Sequence, residues 1–176
     1  MEDDTRASAP SHLWMVGVVG TLWNGVGVFD FAMTETANPA YLAKYGPDVA
    51  TYIMNLPAWF VAFWALSVWG GLAGSLLLLA RSKHAVTTFA LSLLGLLVTT
   101  TYQFLLSSPP ADFTTTRLLL MTLLAWAVAI ALFTYARDMQ KRGVLGELTE
   151  PPTTLDKDSG LPPDPLRREH LWRSGL

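Results

Sequence analysis

Four long apolar stretches alternate with short polar ones along the chain. The cleanest is Pro57 to Ala80, PAWFVAFWALSVWGGLAGSLLLLA, 24 residues without one charge. A hydrocarbon core about 30 Å thick needs roughly 20 helical residues, so this stretch can span it with some tilt. A soluble core helix of that length would carry a polar face, and this one has none. The other spans predicted by the same pattern are residues 12–32, 85–106 and 117–136. The expected fold is therefore an all-α, four-helix transmembrane bundle occupying residues 12–142. It is flanked by a disordered start, 1–11, and a disordered tail, 143–176, within which Leu166 to Trp172 could form a short amphipathic turn. Ser11 is the expected cap of the first helix.

The connections carry their own signals. Asn38-Pro39 is a helix start, with Asn as cap and Pro in the first turn, and Gly46-Pro47 breaks it. A second short helix follows to Asn55 and stops before Pro57. Tyr41, Tyr45 and Tyr52 suit a membrane surface, so two interfacial helices are expected over the mouth of the bundle. The link between the second and third spans is the tight basic turn Arg81-Ser82-Lys83-His84. Thr114 to Thr116 can cap the fourth helix. Arg6, Arg81, Lys83, Arg137, Lys141 and Arg142 lie on one side of the four spans, Lys44 and Arg117 on the other, which predicts N-in, C-in. No internal repeat relates the two halves, so an inverted-repeat transporter within one chain is not supported.

Small residues recur inside the spans. Ser67, Gly70, Gly71, Gly74 and Ser75 form a ladder on the second, and Gly70 with Gly74 make a GxxxG pair. Such a ladder lets another helix approach closely in lipid. Gly17, Gly20, Asn24, Gly27 and Phe31 share a face of the first span, which places the Asn24 amide on the packing side near mid-depth. Thr88, Ser92, Gly95, Thr99 and Tyr102 mark one face of the third, with Gln103 beside its end; hydroxyls there can return to their own helix's carbonyls.

Composition narrows the function classes. Of 176 residues, 51% are hydrophobic and only 15% charged, where soluble domains carry about 25%. The net charge of −2 leaves no basic surface for nucleic acid. Without cysteine there is no disulfide, thiolate metal site or thiol nucleophile. His12, His84 and His170 have no metal-ligand spacing, and there is neither a nucleophile elbow nor a phosphate loop. Neither an enzymatic activity, a cofactor nor a metal is expected. The start, MEDDTRASAP, is acidic where a signal peptide would be basic, so the first helix is expected to be retained.

Two constellations could carry function. Trp23, Trp69 and Trp126 fall near the midplane of three spans, although tryptophan usually gathers at the interfaces. They either build a polar-aromatic pocket with Asn24, Thr99 and Gln103 for a small neutral solute, or they pack the bundle and face lipid. Asp30 lies about 11 Å beyond the centre of the first span. It either binds a proton or cation at the mouth, or it pairs with Arg117 or Lys44 or simply faces interfacial water.

With LWNGVGVFDF, the Tyr-rich loop and LPAWFVAFWALSVWGGLAGSLLLLARSKHA in hand, the chain resembles a family of small four-span bacterial inner-membrane proteins commonly labelled sugar transporters. The similarity covers about Leu13 to Ala136. It implies a bacterial cytoplasmic-membrane location and supplies no binding residue. The leading expectation is an oligomeric small-solute transporter. The rival is an accessory or structural subunit of a larger membrane complex, bound through the ladder to a copy of itself or to another membrane protein. A transporter should show a solvent-reachable cavity bearing Asn24 and the midplane tryptophans; an accessory protein should show a dry core and an exposed Gly70/Gly74 face.

Overall fold

The computed structural model describes residues 8–111 and 116–146, and they are helical almost throughout. The order is α1 (Ser11–Glu35), α2 (Pro39–Leu42) running into a 3-10 turn (Ala43–Tyr45), α3 (Pro47–Met54), α4 (Ala58–Leu79), α5 (His84–Thr101) and α6 (Thr116–Lys141). Four of them, with α5 continued through a π-helical turn at Tyr102–Leu106, are long and apolar enough to cross a membrane. Their outer faces carry exposed Val18, Leu22, Leu94, Leu97, Leu120 and Leu123. So much contiguous exposed apolar surface belongs in hydrocarbon rather than water. The chain is an all-α membrane protein.

Local chemistry sets the boundaries. α1 starts after Pro10 with no side-chain cap, so Ser11 is its first residue rather than its cap. Asn38 does cap α2, its Oδ1 accepting from Tyr41 N at 3.0 Å. Gly46, at φ +80°, makes the break that lets Pro47 open α3. The α4–α5 link is tight: Arg81 adopts φ +55°, and Ser82 N closes the helix end on Leu77 O at 2.9 Å.

α4 is the centre of the bundle, with α1 on one side and α5 on the other. The ladder serves both. Gly70 and Gly74 face α5, where an added Cβ would come within 3.2 Å of Ser92 and 2.8 Å of Phe89. Gly71 and Ser75 face α1, meeting the Asn24 amide and Gly20. The closest approach is at Gly95 of α5, where a Cβ would lie 2.6 Å from Phe63 O and 2.8 Å from Ser67 N. Beside it Ser92 Oγ donates across to Ser67 O at 2.6 Å, whereas Thr88 and Thr99 return their hydroxyls to their own helix. The ladder is thus occupied within the chain.

α6 is attached differently. It packs on α5 and makes few contacts with α1 or α4. The buried core lies at the end carrying the α4–α5 turn and is built from Leu13, Leu78, Ala85, Phe89, Ala136 and Met139. Residues 143–146, expected to belong to a disordered tail, complete this core instead. Gly143, at φ +71°, turns the chain back under the bundle, and Val144 and Leu145 are 3% and 5% exposed. Backbone bonds from Lys83 N to Gly146 O (2.7 Å) and from Gly146 N to Arg81 O (2.9 Å) fasten the strap to the turn. The reason is burial: two apolar side chains close a core that α6 alone leaves open. The remaining tail expectations, Leu166 to Trp172 included, fall outside the described residues, as do the start at 1–7 and the Thr114 cap.

Gly95→Ala should lower stability by about 1–3 kcal/mol or more, because backbone atoms cannot step aside for the methyl. Gly25→Ala should be neutral or stabilising, since a Cβ there meets nothing within 4 Å. Thermal unfolding at high dilution in detergent separates the two. Truncation after Arg142 should cost several kcal/mol, each buried apolar side chain contributing about 1.5–3; the same unfolding measurement reads it, and an unchanged midpoint would remove the strap from the core.

Candidate functional site

Because α4 holds α1 and α5 close while α6 stands off, the bundle leaves a half-open cavity of about 930 Å³. That volume lies at the upper end of the range for small-molecule pockets, about 300–1,000 Å³. Trp23, Asn24, Gly27 and Asp30 line it from α1; Trp64, Ser67 and Gly71 from α4. α5 and its π-helical extension add Ser92, Thr99 and Gln103, and α6 closes the side with Ala125, Val128 and Leu132. The α2–α3 segment covers the wide end with Tyr41, Lys44, Tyr45 and Ile53. Tyr52 ties that cover to the α5–α6 loop through Ser107 Oγ at 2.9 Å.

Asn24 is the polar group at mid-depth. Its Nδ2 donates to Gly20 O at 2.8 Å and to Ser75 Oγ at 3.3 Å, and Ser75 Oγ donates on to Gly71 O at 2.9 Å. The reverse amide orientation would set two oxygens against each other, so the assignment is fixed by chemistry. Both amide hydrogens are engaged, and the remaining capacity is that of an acceptor, Oδ1, lying over Gly71. Gly71 is what makes room for it. A solute that donates an O–H or N–H is the complement.

The tryptophans separate. Trp23 lines the cavity. Trp126 lies behind it, its Nε1 donating to Thr100 Oγ1 at 3.3 Å and joining α6 to α5. Trp69 is 51% exposed on the outer side of α4. Depth was the wrong criterion for it: two residues from Ser67 is 200° around a helix, which turns the indole to the lipid side. Trp64 holds the inward position instead, edge-on to Phe31 with centroids 4.9 Å apart. Its signal was in the chain, since Phe60, Trp64, Ser67 and Gly71 share one helical face. Thr99 is buried with its hydroxyl bonded to Gly95 O, so it contributes shape, and Gln103 contributes a polar wall near the mouth.

Asp30 sits at that mouth in a fixed setting. The hydroxyls of Tyr41 and Tyr45 donate to its Oδ1, the second at 3.2 Å. Lys44 Nζ lies 3.7 Å from the same oxygen and 3.3 Å above the Tyr41 ring centroid. Of the two expected cationic partners, Lys44 is the one in place; the Arg117 side chain is outside the described residues. The cluster joins α1 to its covering segment and sums to no net charge. Burial, then the bond to Asp30 and its negative charge, push the Tyr41 phenol up to about 12, and burial first raises Tyr45 as well. Among the described residues no three His, Cys, Asp or Glu side chains gather as metal ligands.

Comparison with protein-family models, with curated proteins and with solved structures finds no match for this chain.

The raised phenols carry a pH prediction. A tyrosine whose folded pKa exceeds its usual value of about 10 contributes stability that is complete below that value and lost as pH rises through the folded pKa. The cover should therefore stay closed from neutral pH to about 10 and loosen toward 12. Near-ultraviolet phenolate absorbance should show a late titration that Tyr41→Phe diminishes; titration of all tyrosines near 10 would contradict the cluster.

Proposed function

We propose that the chain is a membrane solute-binding protein of transporter type, whose site is the cavity between α1, α4, α5 and α6. The observation that carries this reading is the cavity itself, about 930 Å³, with Asn24 at mid-depth. The occupied ladder supports it from the other side, because Gly70 and Gly74 meet Ser92 and Phe89 of the same chain. The lining asks for a small neutral solute: aromatic walls from Trp23 and Trp64, an acceptor from Asn24, and a mouth whose charges cancel. A sugar meets those terms, and the family resemblance points the same way, to a bacterial cytoplasmic membrane. With N-in, C-in topology the Tyr41 end opens outward and the Arg81 end is the cytoplasmic plug. Alternating access needs two parts that rock against each other. The close-packed α1–α4–α5 unit and the loosely attached α6 are those parts.

The test is uptake by purified protein in liposomes against a panel of radiolabelled mono- and disaccharides. At least one should enter faster than into protein-free liposomes. Asn24→Leu should reduce its uptake about tenfold while the protein stays folded, the cost of one hydrogen bond of about 1.4 kcal/mol. Uptake equal to protein-free liposomes across the panel would exclude saccharide transport.

A further inference from the structure

The central cavity has a second boundary, on the side where α1 and α6 hardly touch. A crevice of about 410 Å³ runs between them, walled by Met15, Val19 and Gly20 on α1 and by Ala131 and Tyr135 on α6. Trp23, Val128 and Leu132 line both this crevice and the central cavity, so the two are neighbours across shared side chains. The polar side-chain groups on the crevice wall are the Trp23 indole N–H and the Tyr135 hydroxyl, the latter bonded to His12 Nδ1 at the plug end. Met15 and Val19, at its rim, are 65% and 61% exposed in a helix built to cross the membrane. The rim therefore faces the one solvent that is present at that depth, alkyl chains.

Polarity along the combined space is graded. The charged and phenolic groups, Asp30, Lys44, Tyr41 and Tyr45, stand at the mouth. Asn24 follows at mid-depth, and beyond it the walls are apolar apart from the Trp23 indole N–H and the Tyr135 hydroxyl, which His12 already engages. From Asp30 to Val16 the path along α1 is about 21 Å at the helical rise. A saccharide-sized polar group satisfies the mouth and Asn24, and an alkyl chain attached to it would fill the apolar slot, which left empty forfeits dispersion energy along its lining. A long chain with a polar head matches the gradient. The neutral sum at the mouth matches a neutral or zwitterionic head.

We propose that the α1–α6 seam is a lateral portal and that the cavity's ligand is a single-chain amphiphile, its head at the Asp30–Lys44–Tyr41 mouth and its alkyl chain lying between Trp23 and Val128 and out along the seam. This rests on the solute-binding reading of the same cavity and names its ligand class. The portal is what α6's stand-off is for.

The test uses the full chain in lipid nanodiscs with a nitroxide-labelled lysophosphatidylcholine, read by electron paramagnetic resonance. A motionally restricted component should appear with the native chain. Val19→Trp and Ala131→Trp, which put an indole on each rim without entering the packed core, should reduce it at least about tenfold. Leu123→Trp, on an outward face of α6, should leave it unchanged. Saccharide uptake is measured on the same variants. Restricted probe that is equal in all variants overturns the portal, as does its absence from the native chain. If it is absent while saccharide uptake persists, the solute site stands and the amphiphile does not; if both are absent, both readings fall. The chain has no cysteine, so Ala131→Cys also reports on a second copy. Near-complete disulfide between chains, with no restricted probe, would assign the seam to a dimer and overturn the proposal.

Discussion

Between Gly95 of α5 and the backbone of α4 at Phe63 and Ser67 there is no room for a methyl group. In lipid, helices gain nothing from the hydrophobic effect on meeting, so contact must come from dispersion and hydrogen bonds at short range. That contact exists here because three residues cooperate. Gly95 removes its side chain, Ser67 presents a bare carbonyl, and Ser92 reaches across to bond it. The remainder of the bundle is placed by this pair. α1 docks on the opposite side of α4 through Gly20, Asn24 and Gly71, which use the same device with an amide in place of a hydroxyl.

The cavity follows from how little of that device is left for α6. α6 presents Val128 and Leu132 to the bundle where α4 and α5 present glycine and serine, so it meets the others at side-chain distance. Its attachments are local: Trp126 on Thr100, Tyr135 on His12, and the core around Ala136 and Met139. The charged and phenolic groups gather at the Tyr41 end and the apolar core at the Arg81 end. A polar cavity therefore opens at the Tyr41 end, and a dry plug closes the Arg81 end.

The helices were legible because their apolar lengths and their breakers, Pro39, Gly46, Pro47 and Pro57, act locally. The packing role of the ladder was legible too, since small residues at three- and four-residue spacing have few other uses in lipid. Its two-sidedness was not: Gly70 and Gly71 are adjacent in the chain yet about 100° apart on the helix, so one ladder is two surfaces. Trp69 misled because depth in the membrane says nothing about rotation about the axis, and Trp64 shows that phase is what decides. The strap at Val144 and Leu145 was hidden by its composition. Two apolar residues between Gly143 and Gly146 make no period, and their burial depends on a core assembled from four other segments.

Any passage of a solute through this bundle must contend with the asymmetry between its ends. Opening the Tyr41 end requires only that the α2–α3 cover lift, which breaks the Asp30 cluster and the bond from Tyr52 to Ser107. Opening the Arg81 end requires α6 to leave Phe89 and Leu78, and α6 is joined there to the α4–α5 turn by the strap. The strap bonds the turn through backbone groups on both sides of Ser82, which is fully buried. A rocking α6 would thus pivot about the strapped end, swinging widest at the mouth and along the α1 seam. Under the proposed function, release of the strap would be the step that separates a binding cavity from a transport path, and the backbone bonds at Lys83 and Gly146 would hold it.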